Sequence, residues 1–255
     1  MTLPSAPSTI GVLASGGLDS GILLAHLLRQ GHVVRPFYVR CGLHWESREL
    51  SALRSFLQAL ASPKLEELVV FDLPLHDLYG THWSLDGRGA PDAQSPDEAV
   101  YLPGRNALLT LKPALWCGMH GVAYLALATL AGNPFADATD EFFHDFESAL
   151  YRTTGNRVTI LRPFALLEKK EILKWGQGLP LEQSFSCLAP IDGHHCGRCN
   201  KCAERQHAFR SAGYEDPTVY ETLMPNEMNP TACHSEHSEE SVLPNDILRC
   251  AQNYG

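Results

Sequence analysis

The stretch that decides the fold is residues 9–20, which reads TIGVLASGGLDS. Residues 9–14 form a short apolar run with branched side chains, which is typical of a buried strand. Residues 15–17 are Ser-Gly-Gly, and residues 18–30 then carry apolar side chains at helical spacing up to Gly31. This order of strand, tight turn and helix predicts an anion site, because N–H groups at a helix start favour bound phosphate.

Strand-like and helix-like stretches alternate through the rest of the chain. Further strands are predicted at residues 32–40, 65–73, 122–130 and 158–164, and helices at residues 46–61, 105–120, 137–151, 168–177 and 203–212. Residues 74–102 lack clear periodicity, and a loop of that length is usually functional or mobile. The alternation predicts an α/β fold, in which a Rossmann-like parallel sheet carries helices on both faces.

The turn after the first strand supplies six candidate nucleotide-binding residues. Glycine lets the backbone approach an anion, serine hydroxyls donate hydrogen bonds, and an aspartate can help to hold Mg²⁺. The alternative is an ordinary turn with Asp19 as a first-turn acid. The sequence matches neither a Walker A motif nor GxGxxG. The candidates are Ser15, Gly16, Gly17, Leu18, Asp19 and Ser20.

Four cysteines lie close together in the C-terminal half with the spacing C-x8-C-x2-C-x2-C. They are Cys187, Cys196, Cys199 and Cys202. Four thiolates at this spacing predict one structural Zn²⁺ ion, since four ligands fill a tetrahedral site. Iron–sulfur ligation is the alternative, and His194 or His195 could compete as a ligand.

Two further cysteines, Cys41 and Cys117, stand outside this group. Cysteine is among the most buried residue types, so both are predicted to be packing thiols. A catalytic thiol at Cys41 is the alternative interpretation.

Composition limits the class of protein and its partners. Hydrophobic residues make up 44% of the 255, which is typical of a globular chain rather than a disordered one. The net charge of −9 argues against a broad surface for nucleic acid or anionic membrane. The N-terminus does not read as a secretory signal and the longest apolar run is too short to span a membrane, so a cytoplasmic location is predicted.

The chain is predicted to have three parts. Residues 9–180 form the nucleotide-binding α/β domain, and residues 181–225 form a small zinc-binding helical region. Residues 226–255 are polar and rich in Ser, Glu, His and Asn, and they are predicted to be a disordered tail.

SGGLDS after a first strand resembles the PP-loop of the ATP pyrophosphatases, the adenine-nucleotide α-hydrolase-like proteins. LPGRN at residues 102–106, KKEI at residues 169–172 and the cysteine group follow in order. Together they resemble the 7-cyano-7-deazaguanine synthase family, known as QueC or ExsB. The resemblance implies a homodimeric ligase of queuosine biosynthesis. With ATP, Mg²⁺ and structural zinc, it converts 7-carboxy-7-deazaguanine and ammonia to the nitrile preQ0 through adenylated intermediates.

The resemblance also implies roles for individual residues. Arg105 and Asn106 are predicted to contact ATP or substrate, and Lys169 is predicted to be a cation that binds phosphate. A Tyr-Pro-Asp-Cys segment usual in the family is missing, and Asp137 is proposed to replace its acid while Phe135 stacks on a flat heterocycle. The alternatives are surface roles for Arg105 and Lys169, and capping of the following helix by Asp137 with Phe135 in the core.

Other functions remain open at this point. A divergent PP-loop enzyme could adenylate another carboxylate, or a tRNA base for amidation or thiolation, although the acidic charge argues against a tRNA substrate. A third hypothesis is a zinc-binding adaptor protein without enzymatic activity. The intact Ser15, Asp19 and Ser20 argue against it.

Overall fold

The computed structural model describes residues 3–221, and the predicted disordered tail lies outside them. Five strands form one fully parallel sheet in the order β3-β2-β1-β4-β5, which confirms the predicted Rossmann-like architecture. The strands are β1 (Thr9–Leu13), β2 (Val33–Arg40), β3 (Val69–Asp72), β4 (Tyr124–Ala126) and β5 (Thr159–Leu161).

The longer helices follow the predicted alternation, although the helix predicted from residue 137 begins at Asp140, after a 3₁₀ turn at Ala136–Ala138. Other short helical turns occur where none is predicted. Residues 74–102 contain two one-turn helices and a 3₁₀ turn at Asp97–Val100, where no regular structure is predicted. One turn is too short to produce a periodic sequence signal. The helices are α1 (Leu18–Arg29), α2 (Glu46–Leu60), α3 (His76–Tyr79), α4 (Trp83–Asp86), α5 (Arg105–Met119), α6 (Asp140–Thr154), α7 (Lys169–Trp175) and α8 (Asn200–Ala212).

Side chains alternate across the sheet and build an apolar core on each face. On one face, Val12 packs with side chains from α1, α2, α7 and α8, including Leu23 and Phe56. On the other face, Phe37 and Leu125 pack with residues of α5 and α6. Both faces of the central strands are therefore covered, as parallel sheets require.

A third apolar cluster lies beyond the carboxyl ends of the strands and contains the four clustered cysteines. Residues 91–95 pack directly against them, because Asn200 N–H donates to the Pro91 carbonyl at 3.0 Å and Ala93 N–H donates to the Arg198 carbonyl at 3.0 Å. The cysteine-rich segment is thus continuous with the sheet through this cluster, and the described residues 3–221 belong to one compact unit. The predicted boundary at residue 180 stays a prediction.

Strand β1 is flanked by β2 on one side and β4 on the other, so the chain changes direction across the sheet at β1. Ligands of open α/β sheets bind in the crevice at such a switch point, beyond the carboxyl ends of the strands. The SGGLDS loop begins there. Among the described residues, no helix combines the length and the apolar character needed to cross a membrane.

Candidate nucleotide site and metal centre

The SGGLDS loop is shaped by one glycine that no other residue can replace. Gly16 has a φ of +76°, and a Cβ placed there would lie 2.6 Å from the Glu49 carbonyl oxygen. Ser20 Oγ accepts a hydrogen bond from the Ser15 N–H at 3.2 Å and closes the turn. Helix α1 then begins after Gly17, with no side chain capping its first N–H groups. The loop therefore offers free backbone donors and a positive helix end to a phosphate.

A cavity of about 710 Å³ opens beside this loop. Ser15 after β1, Val39 at the end of β2 and Leu127 after β4 line its floor, while α7 and α8 contribute further walls. Its volume is in the range of small-molecule sites. Its position is the switch point of the sheet, so the fold and the cavity indicate the same site.

Lys169 lies at the centre of an ion-pair network on the cavity wall. Its Nζ is 3.2 Å from Asp19 Oδ2 and also pairs with Glu204, which in turn pairs with Lys201 at 2.6 Å. Burial opposes a charge on Lys169, yet the carboxylates of Asp19 and Glu204 hold its pKa above the usual value. Lys169 is therefore a fixed cation next to the loop. Its assignment to phosphate stays a prediction.

The free oxygen of Asp19 fits the predicted role in holding a cation. Asp19 Oδ1 is buried and has no hydrogen-bond partner among the described residues. Burial also raises the pKa of this carboxyl. An unpartnered carboxylate oxygen beside a phosphate loop is a suitable ligand for Mg²⁺, which accepts one or two protein carboxylates together with substrate phosphates.

Asp137 lies next to Asn106 and does not line the cavity. Its Oδ2 accepts from the Asn106 N–H at 2.9 Å, and its Oδ1 accepts from Asn106 Nδ2 at 3.1 Å. The alternative in which Asp137 caps the following helix is wrong, because Thr139 Oγ1 accepts from Phe142 N–H and caps α6. Asp137 holds the start of α5, and Asn106 lines the cavity.

Replacing Asp137 by alanine is expected to lower the melting temperature by several degrees. The first turn of α5 would lose an acceptor for one of its unpaired N–H groups, which costs about 1–2 kcal/mol for a capping residue. Differential scanning fluorimetry measures the shift. The exposed Asp145→Ala on α6 is the matched control. Equal melting temperatures for Asp137→Ala and the control would contradict this role.

Arg105 precedes Asn106 at the start of α5. Its Nε is buried and has no hydrogen-bond partner in the described part of the chain. An unpaired guanidinium nitrogen at the first helical turn fits a contact to an anionic group. Its predicted role as a contact to ATP or substrate stays a prediction.

Glu49 is a cavity residue that the predicted site does not include. It is 8% exposed and lines the cavity, and its Oε2 accepts from the Tyr38 hydroxyl at 2.8 Å. Burial raises the pKa of this carboxyl to about 7, partly offset by the charge of Arg105 and the Tyr38 hydrogen bond. The family resemblance extends to Glu49 without giving it a role, and its position in the first turn of α2 does not distinguish it from a surface glutamate.

The shifted pKa of Glu49 makes stability depend on pH. The folded state favours the protonated carboxyl, so this contribution is full below the unfolded value near 4.5 and is lost as pH rises through about 7. Above pH 8 the buried charge costs up to about 3 kcal/mol. Glu49→Gln is therefore expected to melt about 5 to 10 °C higher than the wild type at pH 8.5.

Thermal melts at pH 5 and pH 8.5 test this expectation. At pH 5 both proteins carry a neutral group at position 49, so their melting temperatures should agree within about 2 °C. Exposed Glu67→Gln is the control for loss of one negative charge. A difference between wild type and Glu49→Gln that does not change with pH would contradict the assignment.

The four predicted metal ligands meet at one point. Their Sγ atoms all lie within 4.8 Å of one another, with 3.9 Å between Cys187 and Cys199 and 4.0 Å between Cys196 and Cys202. Thiolates on one zinc ion, at about 2.3 Å each, would lie about 3.8 Å apart. The group is therefore compatible with a single tetrahedral zinc ion, and an iron–sulfur cluster would hold the sulfurs farther apart.

The flanking histidines are not part of this group. His194 Nδ1 pairs with Glu221 at 2.6 Å, and His195 Nε2 accepts from the Ser186 N–H at 3.2 Å. The two remaining thiols in the described residues are buried, and burial raises the pKa of Cys41 to about 11 and that of Cys117 to about 12. A thiol with so high a pKa is a poor nucleophile, which argues for packing roles.

Two connections join the cysteine group to the SGGLDS loop. Phe185, two residues before Cys187, donates its N–H to the Gly16 carbonyl at 2.8 Å. Glu204, two residues after Cys202, holds Lys169 from α8. The buried guanidinium of Arg205 supports this arrangement, donating to Ser184 Oγ and to the Leu181 carbonyl at 2.9 Å each.

Comparison with known proteins places this site in a family. The family model described as queuosine biosynthesis protein QueC matches residues 9–213. The chain belongs to the QueC family. The match includes the SGGLDS loop, Lys169 and all four clustered cysteines, so the site described above lies within the family region.

Curated relatives of this QueC chain align over nearly their whole length. A 7-cyano-7-deazaguanine synthase from Methanococcus aeolicus is 30% identical over 234 residues, which covers 81% of this chain and 96% of that protein. A 7-cyano-7-deazaguanine synthase from Xylella fastidiosa is 28% identical over 223 residues, covering 83% and 95%. The QueC resemblance predicted from the loop, LPGRN and the cysteines is thereby confirmed.

A solved structure shows a weaker likeness to this QueC chain. The crystal structure of a 4-thiouridine synthetase–RNA complex with bound ATP is similar at a TM-score of 0.47 and 16% identity, covering 81% of this chain and 50% of that chain. A likeness at this level adds nothing to the fold described above.

Proposed function

We propose that the protein is an ATP-dependent ligase that converts 7-carboxy-7-deazaguanine and ammonia to 7-cyano-7-deazaguanine. The observation that carries the proposal is the QueC match over residues 9–213, which spans the phosphate loop and the cysteine group together. The relatives that align over nearly their whole length are named 7-cyano-7-deazaguanine synthase. The cavity at the switch point supplies a site of suitable size.

The residues around the cavity suit adenylation of a carboxylate. The free N–H groups at the start of α1 would hold the phosphates of ATP, and Lys169 would neutralise charge on them. Asp19 Oδ1 would help to hold Mg²⁺, which would neutralise the phosphates further. The substrate carboxylate would then attack the α-phosphorus, and pyrophosphate would leave.

The later steps require the reactants to be held in line with one another. They require no nucleophile from the protein. Ammonia attacks the acyl adenylate to give an amide, and a second ATP activates the amide oxygen before elimination gives the nitrile. Asn106 and Phe135 line the cavity, where Asn106 would contact substrate or ATP and Phe135 would stack on the flat base. Arg105 precedes Asn106 at the start of α5, and its Nε, which has no partner among the described residues, would contact the same ligands. Such positioning can supply much of a rate enhancement.

An assay with purified protein tests the proposal. The protein is incubated with ATP, Mg²⁺, ammonium and 7-carboxy-7-deazaguanine, and pyrophosphate and nitrile are measured by enzymatic coupling and mass spectrometry. Nitrile formation that depends on all four components is expected. Adenylation of a different carboxylate with none of this acid would overturn the assignment of the acceptor.

The proposal also covers the oligomeric state, the cellular location and the binding partners of the protein. We infer a homodimer in the cytoplasm that binds small molecules and makes no stable complex with nucleic acid. The acidic net charge supports the last point. Light scattering at two protein concentrations tests the dimer, and a salt-titrated tRNA-binding assay tests the absence of a nucleic-acid complex.

A further inference from the structure

The nitrogen atom has to lose protons during the proposed reaction. An ammonium ion carries four N–H bonds, and the nitrile nitrogen carries none. A C≡N triple bond replaces the two carbon–oxygen linkages of the carboxylate, and each oxygen leaves as part of an AMP molecule. The carbon stays at the oxidation level of a carboxylic acid, so no oxidant or reductant is required. The four protons therefore need an acceptor near the reacting carbon.

Most of the side chains on the cavity wall that could accept a proton already take part in an ion pair or a hydrogen bond. Asp19 and Glu204 both pair with Lys169, and Glu168 pairs with Lys170 at 2.6 Å. His207 is exposed and makes a hydrogen bond with Ser211 at 3.1 Å. The lysines hold the pKa values of Glu204 and Glu168 below their usual range, which makes these two carboxylates weak proton acceptors. Asp19 is held by Lys169 through one oxygen, and its other oxygen is the proposed Mg²⁺ ligand.

Glu49 differs from these groups in its surroundings. It lines the cavity, makes no ion pair with any described residue, and lies against the loop, since its backbone carbonyl is next to Gly16. The Tyr38 hydroxyl fixes its Oε2 at 2.8 Å. An ionised carboxylate here would repel the phosphates of ATP, so its presence in this wall calls for a cationic or proton-donating ligand.

We propose that Glu49 binds the ammonium ion and is the proton acceptor for the reacting nitrogen, with Tyr38 holding the carboxylate in place. The proposal rests on the proposed function and names the site of its second substrate. The Glu49 carboxylate takes a proton from ammonium to leave ammonia, which attacks the acyl carbon as AMP leaves. After release of that proton to solvent, the same carboxylate takes protons from the amide and imidate nitrogens.

The charged and hydrogen-bonding groups around Glu49 set the pKa of its carboxyl. Burial raises its pKa to about 7, while the charge of Arg105 and hydrogen bonds from Tyr38 and Trp45 lower it and the charge of Glu46 raises it. A base with a pKa close to the working pH can both accept and release a proton in each cycle. Asp97 also lines the cavity and makes no ion pair with a described residue, but it is exposed, whereas Glu49 is 8% exposed and is held by Tyr38.

A comparison of two nucleophiles tests the proposal. Ammonia is mostly protonated at neutral pH, whereas hydroxylamine is mostly uncharged and needs no proton removed before attack. Glu49→Gln keeps the side-chain size and an acceptor for Tyr38, but it cannot take a proton. We expect Glu49→Gln to slow product formation with ammonium by about 100-fold at pH 7, and hydroxamate formation with hydroxylamine by less than about fivefold.

A control variant and the outcomes that would overturn the proposal complete this test. Exposed Glu67→Gln should match the wild type with both nucleophiles. Equal losses with ammonium and hydroxylamine, or no loss with either, would overturn the role of Glu49 and leave the proposed function standing. A wild-type protein that forms neither nitrile nor hydroxamate from 7-carboxy-7-deazaguanine would overturn the proposed function itself.

The pH profile gives a second, independent readout. At saturating ammonium, the wild-type rate is expected to rise with pH and level off above about 7, where Glu49 is ionised. The Glu49→Gln rate should instead keep rising toward the higher pKa of free ammonium. Superimposable profiles for the two proteins would contradict the proposal.

Discussion

Replacing Lys169 by methionine is expected to reduce ATP–pyrophosphate exchange by about 100- to 1,000-fold. In the folded protein, Lys169 is the cation between the carboxylates of Asp19 and Glu204. Without it, the carboxylates of Asp19 and Glu204 would face the incoming triphosphate and each other, and Lys201 would remain as an ion-pair partner of Glu204. The loss should appear as weaker ATP binding and as slower exchange at saturating ATP, because the lysine neutralises both the ground state and the transition state.

A lysine on the same helix is a matched control for this prediction. Lys174 also lies on α7, but it is exposed and does not line the cavity. Lys174→Met should keep an exchange rate within about twofold of wild type, since an exposed charge away from the site contributes little. Similar losses in the two variants would show that the Lys169 effect is not specific to the site.

Replacing Cys199 by serine is expected to remove zinc and to disable the nucleotide site. Cys199 precedes the first residue of α8, and that helix carries Lys201 and Glu204 into the cavity. Phe185 connects the same segment to the Gly16 carbonyl. Structural zinc can contribute about 10 kcal/mol or more to folding of small metal domains. We therefore expect the melting temperature to fall by more than about 10 °C.

Metal analysis, thermal melts and ATP-binding calorimetry measure the three parts of this prediction. Zinc per chain should fall well below one in Cys199→Ser, and ATP affinity should fall with it. Cys117→Ala is the control, because Cys117 is buried in the core between the sheet and α5 and is not near the cysteine group. A Cys199→Ser protein that lacks zinc yet binds ATP normally would contradict the coupling of the two sites.

The sequence predicted the sheet, the loop and the metal ligands because each has a local signal. SGGLDS follows directly on a strand, and the four cysteines lie within sixteen positions of one another. Their chemistry depends on spacing along the chain, which a single sequence displays. The loop and the sulfur cluster are accordingly where the spacing predicts them.

The contacts between distant segments could not be predicted in this way. Lys169 and Glu204 are 35 residues apart, and nothing in their local sequence connects them. Glu49 resembles any first-turn acid of an amphipathic helix until the fold buries it against Tyr38. Asp137 illustrates the same limit, because it stabilises α5 rather than the helix that follows it in the chain.

The central claim is that one active site activates the same carboxyl carbon twice with ATP. The most direct test starts from 7-carboxy-7-deazaguanine with ¹⁸O in both carboxylate oxygens and follows the label into AMP by mass spectrometry. The account predicts two AMP molecules per nitrile, each carrying one ¹⁸O atom, and pyrophosphate without label. Formation of ADP, or of AMP without ¹⁸O, would contradict it.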